Sequence, residues 1–589
     1  MGRGEGRRGE NCGGRFLSRA GVDCAVAAVV GRVVARGSGG KRALLRRLRG
    51  HWGATRGLKG DAMQNWDAMG ERRAEEGKTE GGALAVLSAA KGAFEHSQKE
   101  HAARNRVLWN YYRNPLSAAW WAGAAKGLSG RGGVLGGGGA VGAAQERGLP
   151  RRFFGGGRLR GAGEAGFDER GRREIVIEND IAWRVHAMVD FLFNRPVRLT
   201  STSGDEGKAR RIGRVLEIAW EASGGMGLMQ DAALLAHVYG HVDFLVRIAS
   251  EEAKGDVSEA GEGGELEAVE AGEDERAEAM ARRVRIEIVD PTRGVALLSD
   301  EDYRRFSGYV VRTRRAVRGE AGDALVLTEV FSGGERWLFS ERVSERGELI
   351  GRAELVERGR SIGGRDGVPV VHVQNVSQPF RYEGLSEVEP LIALQDELNT
   401  RLSDRANRVT LQCFKMYLAK GVEGFEKTPV GPGTVWTSEN PDAKIEAFGG
   451  DSANPSEETH IDEVREAMDK VSGVPPLAAG VVRAKIGNLT SENALRVTLQ
   501  GLLTRTARKR VAWGRGIAGV CAIVLEALDA AGVLRTGEME RGVNVEWSDA
   551  LPRDVGDELR SAQAKAALGV DRGRVLADLG IGSGDRGVE

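Results

Sequence analysis

Two helical patterns that cannot bury themselves alone constrain this chain most. From Val388 to Leu418 an apolar stripe recurs through Val388, Leu391, Leu398, Leu402, Ala406, Val409, Cys413 and Met416, the spacing of one helix face. Glu397/Arg401 and Asp404/Arg408 sit four residues apart on its other faces and support it. A second helix opens at Asn454-Pro455-Ser456-Glu457, with Asn as cap, Pro at the first helical position and Glu at the third. Its stripe is Ile461, Val464, Met468 and Val471; Gly473 and Pro475-Pro476 end it. Between the two lies a Gly-, Pro- and Thr-rich excursion, 421–448, with short β-prone pieces at Thr434-Val435-Trp436 and Lys444-Ile445-Glu446. The order predicts two antiparallel rods joined by a small β-containing tip.

A loop from Leu477 to Leu489 leads to a cap at Thr490 or Ser491 and to a long helical pattern reaching about Ala531. Gly501, Gly514, Gly516 and Gly519 lie inside it. Each costs roughly 1 kcal/mol relative to Ala, so a kink is expected there. From Asn493 to Leu525 the basic residues are Arg496, Arg505, Arg508, Lys509, Arg510 and Arg515, with no acidic residue among them. Such a face is either a solvated surface, a contact between copies, or a rim facing phosphate.

The earlier chain mixes helix and strand. Ala83–Trp109, Ile175–Leu192, Arg210–Trp220 and Leu228–Tyr239 read as helices, the last stopped by Gly240. Val197–Leu199, His241–Ile248, Val284–Val289, Tyr309–Arg314, Ala324–Val330, Arg336–Phe339 and Val368–Val373 read as strands. Glu251–Glu278 holds 12 acidic residues, 2 basic ones and five glycines, the composition of a solvated, disordered insertion. The fold class expected is α+β, mainly helical.

At 589 residues the chain exceeds one compact core. Lys and Arg number 85 against 84 Asp and Glu, which excludes a strongly basic nucleic-acid binder but not a protein that touches DNA in passing. Residues 1–60 carry 14 Lys or Arg and 3 Asp or Glu among many glycines; they read as a disordered tail, as sequence ahead of a start at Met63, or as a basic nucleic-acid arm. Cys12, Cys24, Cys413 and Cys521 form no C-x-x-C pair, so reduced thiols used as small apolar side chains are expected, as in a cytoplasmic protein. No apolar run is expected to span a membrane.

Enzyme constellations are missing from the sequence. It holds no phosphate loop of the G-x-x-x-x-G-K-[ST] kind and no H-E-x-x-H. A G-x-G-x-x-G at Gly4, Gly6 and Gly9 follows no strand. His237 and His241 are four apart, but Gly240 should end the helix between them; they read as polar residues at a helix end. No catalytic residue, metal or cofactor is expected.

The order strand, rod, small β-prone tip, antiparallel rod, Gly/Asn loop, long helix resembles the core of tailed-phage portal proteins of the siphophage kind. Several local words carry the resemblance. They are Val368-Pro369-Val370-Val371, Glu383-Gly384-Leu385-Ser386, Leu394-Gln395-Asp396-Glu397-Leu398-Asn399, Ser472-Gly473-Val474-Pro475, Gly487 to Leu495, and Asn544 to Pro552. Asn179 to Leu199 is similar to the family's wing segment. The likeness covers about Trp109 to Ile581. The first sixty residues, the Gly-rich stretch near Gly136 and the acidic insertion depart from the pattern.

The resemblance implies a subunit with a disordered tail (1–80), wing (81–385), first stem helix (386–420), clip (421–453) and second stem helix (454–473). A tunnel loop (474–490), a long kinked helix (491–535) and a returning strand with crown helices (536–589) would follow. It implies a closed ring, usually of twelve copies, at the capsid vertex of a virion assembled in the bacterial cytoplasm, through which double-stranded DNA passes. Expected partners are the terminase large subunit, head-completion or adaptor proteins, and major capsid and scaffold proteins, with no membrane. Arg483, Lys485 and Asn488 of the tunnel loop are expected to face DNA. Arg496, Arg505, Arg508 and Lys509 form a candidate DNA-facing helix surface. Phe425, Val435 and Trp436 are candidate clip contacts. The competing reading is a helix-rich cytoplasmic scaffold or adaptor that never touches DNA, and it predicts a monomer or dimer.

Overall fold

The computed structural model describes residues 80–118, 142–153, 174–248, 272–299, 302, 304–316, 323–344, 347–412, 416–420, 440–448, 455–480, 492–551, 555–570 and 575. All belong to one unit, Gly77–Glu589.

Helix α1 (Glu80–Arg113) buries Ala83, Val86, Leu87 and Ala90 near its start and Leu108 and Tyr112 near its end. Helix α2 runs from Asp180 to Leu192, capped by the Asn179 side chain, which accepts from the Ala182 amide. The sequence pattern starts this helix at Ile175. Instead 174–179 is held without helical bonds, for a reason given below. Strand β1 (Arg198–Ser201) follows the Pro196 stop. Helix α3 (Glu206–Ala222) is capped by Asp205. Helix α4 (Gly225–Tyr239) ends at Gly240 with φ 100°, the left-handed cap that favours glycine. Here the space demands it too: a Cβ on Gly240 would lie 2.3 Å from the Gly384 carbonyl oxygen.

Strand β2 (His241–Ile248) is followed by helix α5 (Glu273–Arg283). This corrects the reading of the acidic insertion, whose last residues are helical. Glu273, Asp274 and Glu275 sit in the first turn and Arg282 and Arg283 in the last, matching the helix dipole. Ala277 and Ala281 are fully buried, and Arg211 of α3 reaches both Glu273 and Asp274.

Strands β3 (Val284–Val289), β4 (Gly294–Leu298), β5 (Phe306–Ala316), β6 (Ala324–Ser332), β7 (Glu335–Val343), β8 (Leu349–Arg360) and β9 (Val370–Gln374) come next. Two of these, β4 and β8, were not read from the sequence. β4 through β8 form an antiparallel meander in chain order, and β2 sits between β3 and β9 in a second antiparallel sheet. The start of α1 lies on the meander: Lys91 Nζ is 2.7 Å from Glu341, and the Arg312 guanidinium lies 5.2 Å over the Phe94 ring.

Helix α6 spans Ile392–Gln412, strands β10 (Met416–Lys420) and β11 (Lys444–Phe448) pair antiparallel, and helix α7 spans Pro455–Ser472. The first rod is therefore shorter than the sequence pattern Val388–Leu418: its expected last turn is strand β10. Helices α8 (Glu492–Thr498) and α9 (Gln500–Ala530) follow. Strand β12 (Val543–Glu546) pairs with β1, as expected of a returning strand, and α10 (Val555–Ala567) comes last.

The helix is not interrupted among the α9 glycines. The chain breaks at Leu499, and α9 continues through Gly501, Gly514, Gly516 and Gly519. The inner glycines serve close packing. A Cβ on Gly516 would lie 2.3 Å from Val373 Cγ2 and one on Gly519 3.3 Å from Val371 Cγ1, so β9 lies directly on this helix. Ile517, Val520, Cys521, Val524 and Leu528 are fully buried, in one cluster with Ile212 and Leu216 of α3, Ala232 and Ala236 of α4, and Val242 and Phe244 of β2. By length and composition α9 could cross a membrane, which corrects the reading that nothing in the chain could; its apolar side is used in this core. The Cys521 thiol, pushed up to about 12 by burial, serves as the small packing group expected.

Candidate conduit elements: two rods and the joint that holds them

The two rods pack through the residues their stripes named. Val388, Leu391, Leu398 and Leu402 share one cluster with Ile461, Val464 and Met468. The stripes run out at the ends: Val409 is 40% exposed and Val471 37%. Across the pair, Arg408 binds Glu457, and Glu397 holds both Arg401 (2.7 Å) and His460 (3.0 Å).

A second face of α6 carries a polar ladder at four-residue steps. Gln395 Oε1 accepts from the Asp180 amide (3.0 Å) and its Nε2 donates to the Glu178 carbonyl (2.6 Å). Asn399 Oδ1 accepts from the Glu178 amide (3.0 Å), and Ser403 Oγ from that of Val176 (3.0 Å). Asn407 binds both the amide (2.8 Å) and the carbonyl (2.7 Å) of Glu174. Four helical residues rise about 6 Å and two extended residues about 6.6 Å, so the spacings match and the backbone of 174–180 docks along the rod. This is why the segment is not helical: α6 satisfies its backbone. Arg184 (1% exposed) then ties α2 to α7 through Asp469 (2.5 Å), and Arg465 of α7 reaches Glu178 (2.7 Å).

The capsule of chain from 375 to 391 that starts the first rod is fixed at several points. Asn375 and Glu387 donate their amides to the carbonyls of Gly240 and His237 (2.8 and 2.9 Å). Ser386 Oγ donates to the Val238 carbonyl (2.6 Å) and accepts from the amides of Val388 and Glu389. Beneath this turn Asp243 Oδ2 accepts from the hydroxyls of Tyr309 (2.6 Å) and Tyr382 (2.7 Å), and its Oδ1 lies 2.7 Å from His372 Nδ1. His372 Nε2 faces the Tyr382 carbonyl at 2.7 Å. Both ring nitrogens thus face acceptors, the pattern an imidazolium satisfies. Burial alone would raise Asp243; the charge of His372 and the hydrogen bonds from His372 and Tyr309 outweigh it and hold the carboxyl below its usual value.

The joint between both rods and α9 is a buried charge cluster. Lys509 Nζ lies 2.7 Å from Glu387 Oε1 and 2.9 Å from His237 Nε2. His237 Nδ1 donates to the Ala233 carbonyl (2.6 Å), which leaves Nε2 as the acceptor for the ammonium. Burial and the Lys509 charge hold His237 well below its ordinary value, against the pull of the Ala233 bond. Burial also lowers Lys509, opposed by Glu387. Arg505 NH1 completes the joint, reaching Glu387 (3.2 Å) and the Ser472 carbonyl (2.6 Å) while NH2 takes that of Val471 (2.7 Å). One turn of α9 therefore grips the start of one rod and the end of the other.

The candidate site residues of the sequence divide accordingly. Arg483, Lys485 and Asn488, and likewise Phe425, Val435 and Trp436, lie outside the described residues. Of the basic helix surface, Lys509 is 3% exposed and cannot face DNA: it is part of the joint. Arg505 is spent on Glu387 and two carbonyls, and Arg496 is 2.9 Å from Asp549. Arg508 is exposed. His237 and His241, read as polar residues at a helix end, are both buried, at 0% and 6% exposure. They turn to different partners, because Gly240 ends the helix between them. Sequence reasoning missed Asp243, Tyr309, Tyr382 and Glu387. The available signals were a carboxylate and a histidine inside two apolar strands, and the Ser386–Glu389 spacing that starts a helix.

A stretch of 82 residues is 43% identical to the large ribosomal subunit protein bL21 of Deinococcus deserti, covering 14% of this chain and 71% of that protein; it is too small a part to speak for the whole. Among solved structures, a chain in the virion of a native gene transfer agent particle is 13% identical with a TM-score of 0.35, over 68% of this chain and 89% of that one. A chain in the neck of an empty gene transfer agent particle is 12% identical with a TM-score of 0.38, over 68% and 90%. Likeness at these scores carries no weight for fold or function. The sequence also matches the family described as phage portal protein, SPP1 Gp6-like, over residues 256–572. That span takes in both rods, the joint residues Glu387, Arg505 and Lys509, and more than half of the 589 residues. The chain belongs to the SPP1 Gp6-like phage portal protein family.

Proposed function

We propose that the chain is one subunit of a closed ring, usually of twelve copies, at a capsid vertex, and that double-stranded DNA passes through the ring during packaging and ejection. In this reading α6 and α7 are the stem, 421–453 the clip that meets the terminase large subunit and later head-completion or adaptor proteins, and 474–490 the tunnel loop. The remaining α+β body is wing and crown, set against major capsid and scaffold proteins.

The observation that carries the reading is the rod pair itself. Its two helices pack through one apolar cluster, which also takes in Leu108 and Tyr112 of α1, Ile181 and Val185 of α2, and Val238 and Tyr239 of α4; they are joined at one end by the β10–β11 pair and gripped at the other by Arg505. Head-to-tail contacts that close give rings, and a ring of such pairs encloses a channel. Duplex DNA carries one negative charge per ~1.7 Å of axis. A conduit that held it tightly would stall it, so a subunit with 85 basic and 84 acidic residues suits passage better than a strongly basic one.

Negative-stain images of the purified full chain test this. Annular particles with a central hole are expected; compact particles of one or two copies would favour a cytoplasmic adaptor. Replacing Arg483 and Lys485 by Ala should then alter DNA packaging while leaving the annuli intact.

A further inference from the structure

Strand β9 is the last strand of its sheet, and it lines a groove of about 970 Å³. Across the β2–β9 pair the amides of Asn375 and Val246 donate to the carbonyls of Gly240 and Pro369. With the register running from His241↔Gln374 to Leu245↔Val370, the main chain of Val371 and Val373 turns to β2, and the amides and carbonyls of Val370, His372 and Gln374 turn away from it. Among the described residues these outward groups meet no hydrogen-bonding partner.

Two layers flank this edge. On one side α9 packs against β9 at Gly516 and Gly519 and lines the groove with Ala512, Ala518 and Ala522. On the other, the Tyr382 ring stacks on His372 with centroids 3.8 Å apart, and Phe306 stands 6.3 Å from Tyr382; both line the groove. A strand laid about 4.8 Å beyond β9 would turn its side chains alternately to the alanines and to the rings. The charges of the groove are uneven: four arginines line it against two glutamates. Arg541 is held by Asp529 at 2.8 Å, and Glu526 accepts from the Gly364 amide at 3.0 Å. Arg381 and Arg515 are exposed and make no ion pair among the described residues.

We propose that an extended acidic segment of a different protein adds to β9 in this groove, as a fourth strand of the β3–β2–β9 sheet. Its main chain binds the outward amides and carbonyls of β9, which supplies affinity, and its alternating side chains supply selectivity. Apolar side chains rest on the alanines of α9, and acidic ones reach Arg381 and Arg515. DNA fits the groove poorly, because the outward carbonyls need donors and phosphate offers none. A second copy fits poorly too. Its most exposed edge, β8, is broken by two register shifts and carries Arg352, Arg358 and Arg360, which would meet Arg381 and Arg515 with like charge. The inference does not depend on the ring reading.

The test uses the full chain and fluorescently labelled, capped peptides at low ionic strength, with anisotropy as the readout. A short peptide of alternating glutamate and valine should bind saturably. Replacing its glutamates by lysine, or methylating its amide nitrogens, should weaken binding about tenfold or more. Arg381→Ala with Arg515→Ala should weaken the glutamate–valine peptide about tenfold. Ala522→Phe, which puts a ring into the groove from the α9 side, should abolish its binding. Unchanged thermal melting of both variants shows that folding is intact. No saturable binding overturns the proposal, and so does equal binding of the lysine or the methylated peptide. A duplex oligonucleotide that displaces the glutamate–valine peptide would assign the groove to DNA and overturn it as well. Negative stain completes the test. Annuli are expected to be as frequent for Ala522→Phe as for the original chain; their loss in that variant alone would assign the groove to a neighbouring copy, overturning the proposal and leaving the ring reading standing.

Discussion

Lys509 Nζ and Glu387 Oε1 lie 2.7 Å apart with side chains only 3% and 6% exposed, and they connect the middle of α9 to the residue just before the first rod. A pair this deep has surrendered its hydration, so removing one partner costs more than the pair is worth. Lys509→Met should leave Glu387 with Arg505 alone and lower stability by about 3–5 kcal/mol. Adding Glu387→Gln should recover part of the loss, since no buried charge is then left over. Urea midpoints of the two single variants and the double check this; simple addition of the two losses would mean that the groups do not act together.

Acid should weaken the fold through two buried histidines, His237 and His241. Burial holds His237 well below its ordinary value. His241 is lowered to about 4, by burial and the charge of His372 against the pull of Asp243 and Glu383. Both rings are neutral when folded, while the unfolded chain takes up their protons below about pH 6.5. Their contribution is therefore complete above that pH and is lost as pH falls from about 6.5 towards 4, at up to about 1.4 kcal/mol per pH unit for each ring. Asp243 is depressed, so its contribution is lost only below about pH 3.9. Melting temperatures between pH 7.5 and 4.5 check the window. His237→Gln with His241→Gln should flatten it, and an unchanged slope in that variant would assign the loss to other groups.

What the sequence disclosed follows from which contacts are local. The rods, their seam at Leu398, Leu402, Ile461, Val464 and Met468, and the Gly240 stop all depend on spacing within one helix. The first rod's end was misread because Cys413 and Met416 continue the apolar spacing, and only the pairing of Met416–Lys420 with Lys444–Phe448 decides for strand. Ile175 to Asn179 was misread for a related reason. Its apolar spacing suits a helix, but its amides are claimed by side chains more than 200 residues away. The basic count on α9 was correct as composition and silent about burial. Lys509 and Arg508 are adjacent, yet one lies in the core and the other in solvent, because the surroundings of each face come from α2, α4 and the turn at Glu387.

The α6 ladder should be graded along its length. Asn399 is fully buried, and its Oδ1 takes the Glu178 amide while its Nδ2 donates to Gln145. Asn399→Leu strands both groups and should cost about 2–4 kcal/mol, at about 1–3 per orphaned group. Asn407 holds Glu174 where water can replace it, and Asn407→Ala should cost less than about 1 kcal/mol. Amide hydrogen exchange of 174–180 separates the cases. Fast exchange across the segment is expected in the Asn399 variant and at Glu174 alone in the Asn407 variant. Equal protection in both would mean that the ladder does not hold the segment.

Two glycines of α9 should respond in opposite directions to the same change. Gly501 lies in the first turn, and a Cβ there meets nothing nearer than the Gly473 carbonyl oxygen at 3.5 Å, an ordinary contact. Gly501→Ala should raise stability by about 0.5–1 kcal/mol, because alanine loses less backbone freedom on becoming helical. Gly516 faces Val373 with no room: its added carbon would lie 2.3 Å from Cγ2. Gly516→Ala must push β9 off the helix and should cost about 1–3 kcal/mol despite the same gain in propensity. Because β9 also carries His372, the displacement should reach the Asp243 cluster and the turn above it. The resonance of the His372 ring should move in the Gly516 variant and stay in place in the Gly501 variant. If Gly516→Ala stabilised the protein as Gly501→Ala does, the close approach of α9 to β9 would be wrong.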